Sequence, residues 1–377
     1  MNIILNKINI KGDRTIWGVV FFLGLFSILI VYSAAGITHI FKHFIRLSIG
    51  FGCMYLVHLL KFKYFSRIGV LGFWISIILL LCALIFGPSI NAANRWLNIA
   101  GQSFQPSDIA KLSIILFAAR QLSKQRNFLS EFKGIVIYIL SPIVVICLLI
   151  LPADFSTAAL VFMNGLVLMF IAKIDLKYIF SILGIALFSV LMLYATAKYV
   201  PLVNELMPRS LTWVSRIDSF FIPSDSYNLD QGYQSNQGKI AIHKGGLFGV
   251  GPGKSVQRNF VYASSSDFIF AIMIEEYGLL IGAFVPILLY MILFYRAVQI
   301  TNKTDSCFGG LIASGLAFSL VFQAMINMAV AVGLMPVTGQ TLPLVSMGGT
   351  SILFSCITIG IILSVSRDST DRNYETI

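Results

Sequence analysis

Charge is what this chain has least of. Of its 377 residues only 11% are Asp, Glu, Lys or Arg, against 57% apolar, where a soluble domain carries roughly 25% charged residues. That shortage excludes a soluble enzyme of ordinary build. Apolar runs along almost the whole length, with a mean hydropathy of +0.86, imply a polytopic membrane protein. Acidic residues are scarcer than basic ones, 16 against 27. The resulting net charge of +11 suits a membrane rich in anionic lipid and does not argue for nucleic acid.

Histidine and cysteine are also sparse. The four histidines (His39, His43, His58, His243) show no ligand spacing, since His39 and His43 lie one helical turn apart without a third ligand. The five cysteines (Cys53, Cys82, Cys147, Cys307, Cys356) sit in or beside apolar runs and form no CxxC pair. They are read as small packing residues rather than metal, redox or disulfide groups. A cleaved signal peptide is not expected either, because the apolar run from Ile16 is about 20 residues, longer than a usual signal core.

What the sequence has in plenty is membrane-length apolar windows. They fall at 16–36, 44–60, 68–86, 108–122, 135–151, 156–172, 178–196, 268–295, 308–333 and 345–366. Alternate connections are basic: Lys7, Lys11 and Arg14; Lys61, Lys63 and Arg67; Arg120, Lys124, Arg126 and Lys133; Lys173 and Lys177; Arg296 and Lys303; Arg367 and Arg372. The opposite short loops hold only Lys42, Arg46 and Arg95. By the positive-inside rule both termini are cytoplasmic. The expected fold is an all-α bundle of ten transmembrane helices forming one membrane domain over residues 1–377. Residues 197–267 are its long outer loop between the seventh and eighth helices. A connection of that length is functional or disordered, and its apolar stretches "LTWVSRIDSFFIP" and "GLFGVG" predict a docked, partly helical structure.

Few residues offer chemistry. "GGLFGVGPGKS" invites a nucleotide-loop reading, but the glycine required five residues before Gly253 is Phe248. A glycine-rich turn remains, in which backbone N–H groups and Lys254 offer a phosphate cradle. Asp108 and Lys111 share a face at the start of the fourth window, either as a self-contained ion pair or as part of a substrate site. Asp154 is placed to cap the following helix. In "VYASSSDFIFAIMIEEYG", Asp267 opens an apolar run that contains Glu275 and Glu276. On one helix the glutamates are turned by about 80° and about 180° from Asp267, so the three do not cluster. Asp267 is either an N-cap or a general base. Glu275 or Glu276 is expected to hold a structural polar contact. The uncharged segment 334–351, with two prolines and paired glycines, predicts irregular backbone lining a wet cavity.

Four stretches in this order resemble the SEDS family of bacterial cell-wall synthesis, whose branches are FtsW and RodA. They are "NRWLNIAGQSFQPSDIAKL", "GYQSNQGKIAIHKGGLFGVGPGKS", "SSDFIFAIMIEEYGLLIG" and "GLMPVTGQTLPLVSMGGTS". The likeness runs from about Tyr32 to Arg367 and is nearer the division-associated FtsW branch. It implies a peptidoglycan glycosyltransferase polymerising lipid II, the undecaprenyl-pyrophosphate-linked disaccharide, at the outer face of the cytoplasmic membrane. It also implies a class B penicillin-binding protein and other divisome proteins as partners.

The family's essential aspartate falls on Asp267, as base, and its acid–lysine pair on Asp108 and Lys111. Arg95, Lys111, Lys254 or a divalent cation (Mg or Mn) is then expected on the pyrophosphate. The chain departs from the family in "SS" for His-Thr before the aspartate, Asp for Glu in "QPSD", and "PADFST" for the usual "QPDFGT" turn. The competing readings are a lipid II flippase, an elongation-type polymerase and a scaffold without chemistry.

Overall fold

A computed structural model describes residues 11–88, 94–99, 102–125, 131–200, 209–221 and 229–375. Its helices are α1 (Arg14–Ala35), α2 (Ile37–Leu59), α3 (Phe65–Phe86), α4 (Pro106–Lys124), α5 (Phe132–Ile150), α6 (Phe155–Ile171) and α7 (Leu176–Tyr199). They continue as α8 (Ser210–Phe221), α9 (Leu229–Gly245), α10 (Ile269–Gly278), α11 (Val285–Lys303), α12 (Cys307–Ala331) and α13 (Gly349–Glu375). A short antiparallel hairpin, β1 (Leu97–Ile99) with β2 (Gln102–Phe104), precedes α4.

Among the described residues eight helical stretches are long and apolar enough to cross a membrane. Two expected spans fall short of that measure for different reasons. The helix α6 has 17 residues, and α4 carries Asp108, Lys111, Arg120 and Lys124. The charges of α4 are tolerated because it stands in the middle of the bundle, touching α3, α5, α6, α12 and α13. There polar side chains meet protein instead of lipid. The stretch expected as a partly helical loop holds α8, which lies against α7, and α9, which lies against α10.

The largest departure concerns residues 268–295, expected as one membrane-crossing helix. From Ile269 to Glu276 no residue is more than 2% exposed, so α10 is enclosed by protein on every side. At Gly278 the backbone takes φ +72°, a conformation only glycine adopts without strain. A Cβ at Gly282 would lie 2.3 Å from the Met273 carbonyl oxygen, so the chain doubles back and runs beside α10. The π-helical turn Leu279–Phe284, with exposed Leu279, Leu280 and Ile281, then leads into α11. The lipid-facing helix therefore starts at Leu279, and α10 is a separate inner element.

Contacts with α1 give the direction of α10. Glu276, near its C-terminal end, accepts a hydrogen bond from Ser33, close to the Ala35 end of α1. The backbone just before α10 is joined through Ser346 to Val345, and Val345 accepts from Ser27 at 2.8 Å. Ser27 lies six residues, about 9 Å, further along α1 from that end. The chain thus descends from Arg258, which also meets Ser33, to Asp267, and climbs back along α10 before crossing.

The two glutamates anchor the top of this loop. Glu275 accepts from the Ser255 hydroxyl and from the Val256 and Gln257 N–H groups. They do not share a partner, as their rotation requires. Close packing fixes the turn at Gly278: a Cβ there would lie 2.3 Å from the Leu247 carbonyl oxygen. The substitution Gly278→Ala is expected to cost about 3 kcal/mol, while Gly184→Ala, with nothing within 4 Å, is close to neutral. Thermal melting of the detergent-solubilised variants checks this, and equal midpoints would contradict it.

Candidate active site

Where the descending chain turns back, a cavity of about 450 Å³ opens, with Asp267 in its wall. Several parts of the chain build it. The N-terminal turn of α4 gives Asp108 and Lys111, and that of α6 gives Asp154 and Thr157. Arg95 and Trp96 come from the stretch before β1, Arg209, Trp213 and Arg216 from α8 and the residue preceding it, Gln234 from α9, Ser266 and Asp267 from the turn before α10, Gln323 from α12, and others from Val337–Thr341 and Met347–Ser351.

Asp267 does not cap α10. The N-cap is Phe268, with no side-chain cap bond, so the carboxylate is free to face the cavity. Its backbone is held tightly: Asn327 Nδ2 donates to the Asp267 carbonyl oxygen at 2.9 Å and to that of Gln340 at 2.7 Å. Gln340 Nε2 in turn donates to Thr157 Oγ1 at 2.9 Å, and Thr157 Oγ1 to Asp154 Oδ2 at 2.9 Å. Gly339, at φ +73°, lies beside the catalytic candidate, and a Cβ there would sit 3.7 Å from Asp267 Oδ2.

In the same cavity, Lys111 Nζ pairs with Asp108 Oδ1 at 3.0 Å and donates to Gln323 Oε1 at 3.3 Å. Thr350 Oγ1 donates to Asp108 Oδ2 at 2.8 Å.

Four cations line the cavity, Arg95, Lys111, Arg209 and Arg216, against three carboxylates, Asp108, Asp154 and Asp267. Lys111 is engaged by Asp108, and Arg95 lies 3.7 Å from Asp154. Arg209 donates to the Ala153 carbonyl at 2.5 Å. Yet the Nε atoms of Arg95, Arg209 and Arg216 are all buried without a partner. A buried, unpaired donor on a charged group is costly; separately, three guanidinium groups around one cavity concentrate positive charge suited to an anion of several oxygens. Burial pushes the Asp267 carboxyl above the usual carboxylate value, and Asp154 adds to the rise. Arg95, a hydrogen bond from Ser266 and Arg216 pull it part of the way back.

The structure thus brings Asp267, Arg95, Asp108 and Lys111 into one cavity. It keeps Lys254 out. The expected phosphate cradle is already used, because Val250 N–H donates to the Glu275 carbonyl at 2.9 Å and Gly251 N–H to that of Glu276 at 3.0 Å. The glycine-rich turn closes the C-terminal end of α10, and Lys254 is exposed beside it.

Asp154 caps α6, accepting from Thr157 N–H at 3.1 Å, and lines the cavity as well. The residues that sequence reasoning missed are Arg209 and Arg216. A signal was there, since Arg209, Trp213 and Arg216 recur at spacings of four and three and so form one stripe on a helix. Among the described residues no group of three or more His, Cys, Asp or Glu side chains comes together. Among the described residues the positive charge at the cavity comes from Lys111 and the three arginines.

The model of the cell cycle protein family FtsW/RodA/SpoVE matches residues 13–371. A relative from Coxiella burnetii named "Probable peptidoglycan glycosyltransferase FtsW" is 32% identical over 337 residues, covering 87% of this chain and 86% of its own. One of the same name from Hydrogenovibrio crunogenus is 34% identical over 331 residues, covering 85% and 81%. Stage V sporulation protein E of Bacillus subtilis is 32% identical over 310 residues, covering 78% and 80%. Among solved structures, a chain of a peptidoglycan synthase complex that coordinates polymerization and crosslinking superposes with TM-score 0.79 at 24% identity, covering 95% of this chain and 98% of that one. The rod shape determining protein RodA of Thermus thermophilus superposes with TM-score 0.69 at 23% identity, covering 95% and 97%. The chain belongs to the FtsW/RodA/SpoVE family of membrane-embedded cell cycle proteins.

Proposed function

We propose that this protein is a peptidoglycan glycosyltransferase of the FtsW type, polymerising lipid II for septal cell-wall synthesis. One observation carries the reading: a half-buried carboxylate, Asp267, shares its cavity with three arginines, Arg95, Arg209 and Arg216. Glycan polymerisation needs both halves of that arrangement. An acceptor sugar hydroxyl attacks the anomeric carbon of the donor, a new C–O bond forms, and the bond from that carbon to the pyrophosphate oxygen breaks. The hydroxyl proton passes to Asp267, whose raised basicity favours the transfer. The leaving lipid pyrophosphate takes the bonding electrons, and its growing negative charge is met by Arg95, Arg209 and Arg216. Asp108 and Lys111 line the same cavity, and their mutual pairing leaves Lys111 a lesser share of the anion.

In this reading the chain crosses the cytoplasmic membrane ten times, with α4 and α6 as the two protein-enclosed crossings and both termini in the cytoplasm. The cavity and the helices α8 and α9 then face outward. A class B penicillin-binding protein is the expected crosslinking partner, with further divisome proteins around the pair. A flippase needs a route between both faces. Among the described residues Lys111 also borders a pocket of about 30 Å³ lined by Leu112, Ile115, Leu316 and Leu320 together with Ser319, Ser355 and Thr358. That volume holds one or two waters and does not pass a disaccharide.

Polymerisation of labelled lipid II by the purified chain, with and without a class B partner, tests the reading. Asp267→Asn is expected to lower the rate by roughly 10²–10⁴-fold with melting and lipid II binding unchanged. Full activity in that variant would remove the base, and no polymer from the wild type with a matched partner would remove the enzyme. Arg216→Gln is expected to lower kcat by roughly 10²-fold, and more than Lys254→Gln, which should stay within about twofold of wild type because Lys254 lies outside the cavity. The reverse order would contradict the arginine receptor.

A further inference from the structure

Two stripes run along α8, and the cavity accounts for only one of them. Arg209, Trp213 and Arg216 line the cavity. Ser210, Val214 and Asp218 are buried as well, at spacings of four residues that set them along another side of the helix. Asp218 stands two residues beyond Arg216, turned from it by about 200°, and meets the Tyr199 end of α7. Tyr194 Oη donates to Asp218 Oδ1 at 2.5 Å, and Lys198 Nζ donates to Oδ1 at 3.2 Å and to Oδ2 at 2.9 Å. Lys198 Nζ also donates to Tyr194 Oη at 3.1 Å, so the three side chains close on one another. The Asp218 side chain is only 8% exposed. An exposed ion pair is worth little, but removing a partner from a buried, doubly bonded carboxylate is costly.

We infer that Tyr194, Lys198 and Asp218 are positioning residues for the anion-binding arginine stripe, fixing the rotation of α8 so that Arg216 faces the cavity. The inference rests on the glycosyltransferase reading above. Near the start of α8 the cavity stripe is held by Arg209, which donates to the Ala153 carbonyl, and by Trp213, whose ring centroid lies 5.6 Å from that of Phe155. Asp218 ties the other stripe near the end of the helix. A helix of about three turns held at both ends and on two sides does not roll. Without the second tie, a roll of one residue position, about 100°, would turn the Arg216 guanidinium out of the cavity.

Kinetics of the full chain in nanodiscs, beside titration with inorganic pyrophosphate as a probe of the arginines, test this. The reporter is Asp267. Burial raises its carboxyl pKa, Arg95, a hydrogen bond from Ser266 and Arg216 draw it down, and Asp154 opposes them. Asp218 does not confuse the reading, because Tyr194 and then Lys198 hold its own carboxyl below the usual value. Lys198→Gln should lower kcat roughly tenfold, less than Arg216→Gln, and leave KM within about twofold. It should also move the acid limb of kcat/KM to higher pH, as loss of Arg216 does, and weaken pyrophosphate binding at least about threefold. Lys198→Arg keeps the charge and should stay within about twofold of wild type throughout. Added to Arg216→Gln, Lys198→Gln should cost nothing further, since both act on one group. A lower melting midpoint with kcat and the acid limb unmoved would make the cluster a structural tie and overturn the inference, as would full additivity with Arg216→Gln. If the wild type with a matched partner forms no polymer, the enzyme reading falls and pyrophosphate decides alone. Weaker binding in Lys198→Gln then keeps the positioning role, and equal or absent binding overturns it.

Discussion

Asp267 is positioned by its backbone. Asn327 donates to its carbonyl oxygen, Ser346 donates to that of Ser266 at 2.6 Å, and Met347 N–H to that of Ser265 at 2.9 Å. These three bonds join the descending chain to α12, through Asn327, and to the irregular segment between α12 and α13, through Ser346 and Met347. The side chain is thereby left to the cavity, which a carboxylate acting as N-cap or strut could not manage. Each donor comes from a surface that is itself held. Asn327 also binds Gln340, and Ser346 also accepts from the Leu342 N–H at 2.8 Å.

The irregular segment needs that support. Leu344 has φ +65°, a conformation that costs a branched residue roughly 1–3 kcal/mol. The residues on either side are tied to the bundle: Tyr290 donates to the Pro343 carbonyl and Ser27 to that of Val345. Ser27 is itself within 2.7 Å of the buried His43. Unpaired polar groups are expensive inside an apolar bundle, so hydroxyls on α1 and α11 are well spent where backbone has left regular structure. The result is an unbroken set of hydrogen bonds from lipid-facing helices through the turn to the catalytic candidate. The glutamates that first looked misplaced in an apolar run complete it from above, fixing the far end of α10 to the loop that leads to Asp267.

How much of this was legible in the sequence differs by region. Charge deficit and window length located the helices to within a few residues for most of the chain, because lipid and protein interiors both select apolar side chains. The same fact hid α10. An apolar run reads alike whether lipid or protein surrounds it, and only Gly278 and the paired glutamates marked the break. Asp267 stood out as a lone carboxylate at an apolar boundary, with the family likeness pointing the same way. Lys254 drew attention through a glycine-rich surround whose N–H groups close a helix instead. Arg209 and Arg216 went unnoticed because basic residues in a long polar loop read as solvated charge. Their common stripe with Trp213 becomes telling only when the helix is known to face a cavity.

The central claim is that Asp267, made more basic by burial and tempered by the arginines, accepts the proton. The base works only when deprotonated, so kcat/KM should fall as pH drops through its pKa. Because burial raises that pKa, the acid limb should lie above the ordinary value of 3.8. Removing a cation that steadies the carboxylate raises the pKa further. The most direct measurement is therefore the pH profile of kcat/KM for lipid II polymerisation in the wild type and in Arg216→Gln. An acid limb above 3.8 in the wild type that moves to higher pH in Arg216→Gln is the expected result. A limb at or below the ordinary value, or one unmoved by loss of the arginine, would contradict it.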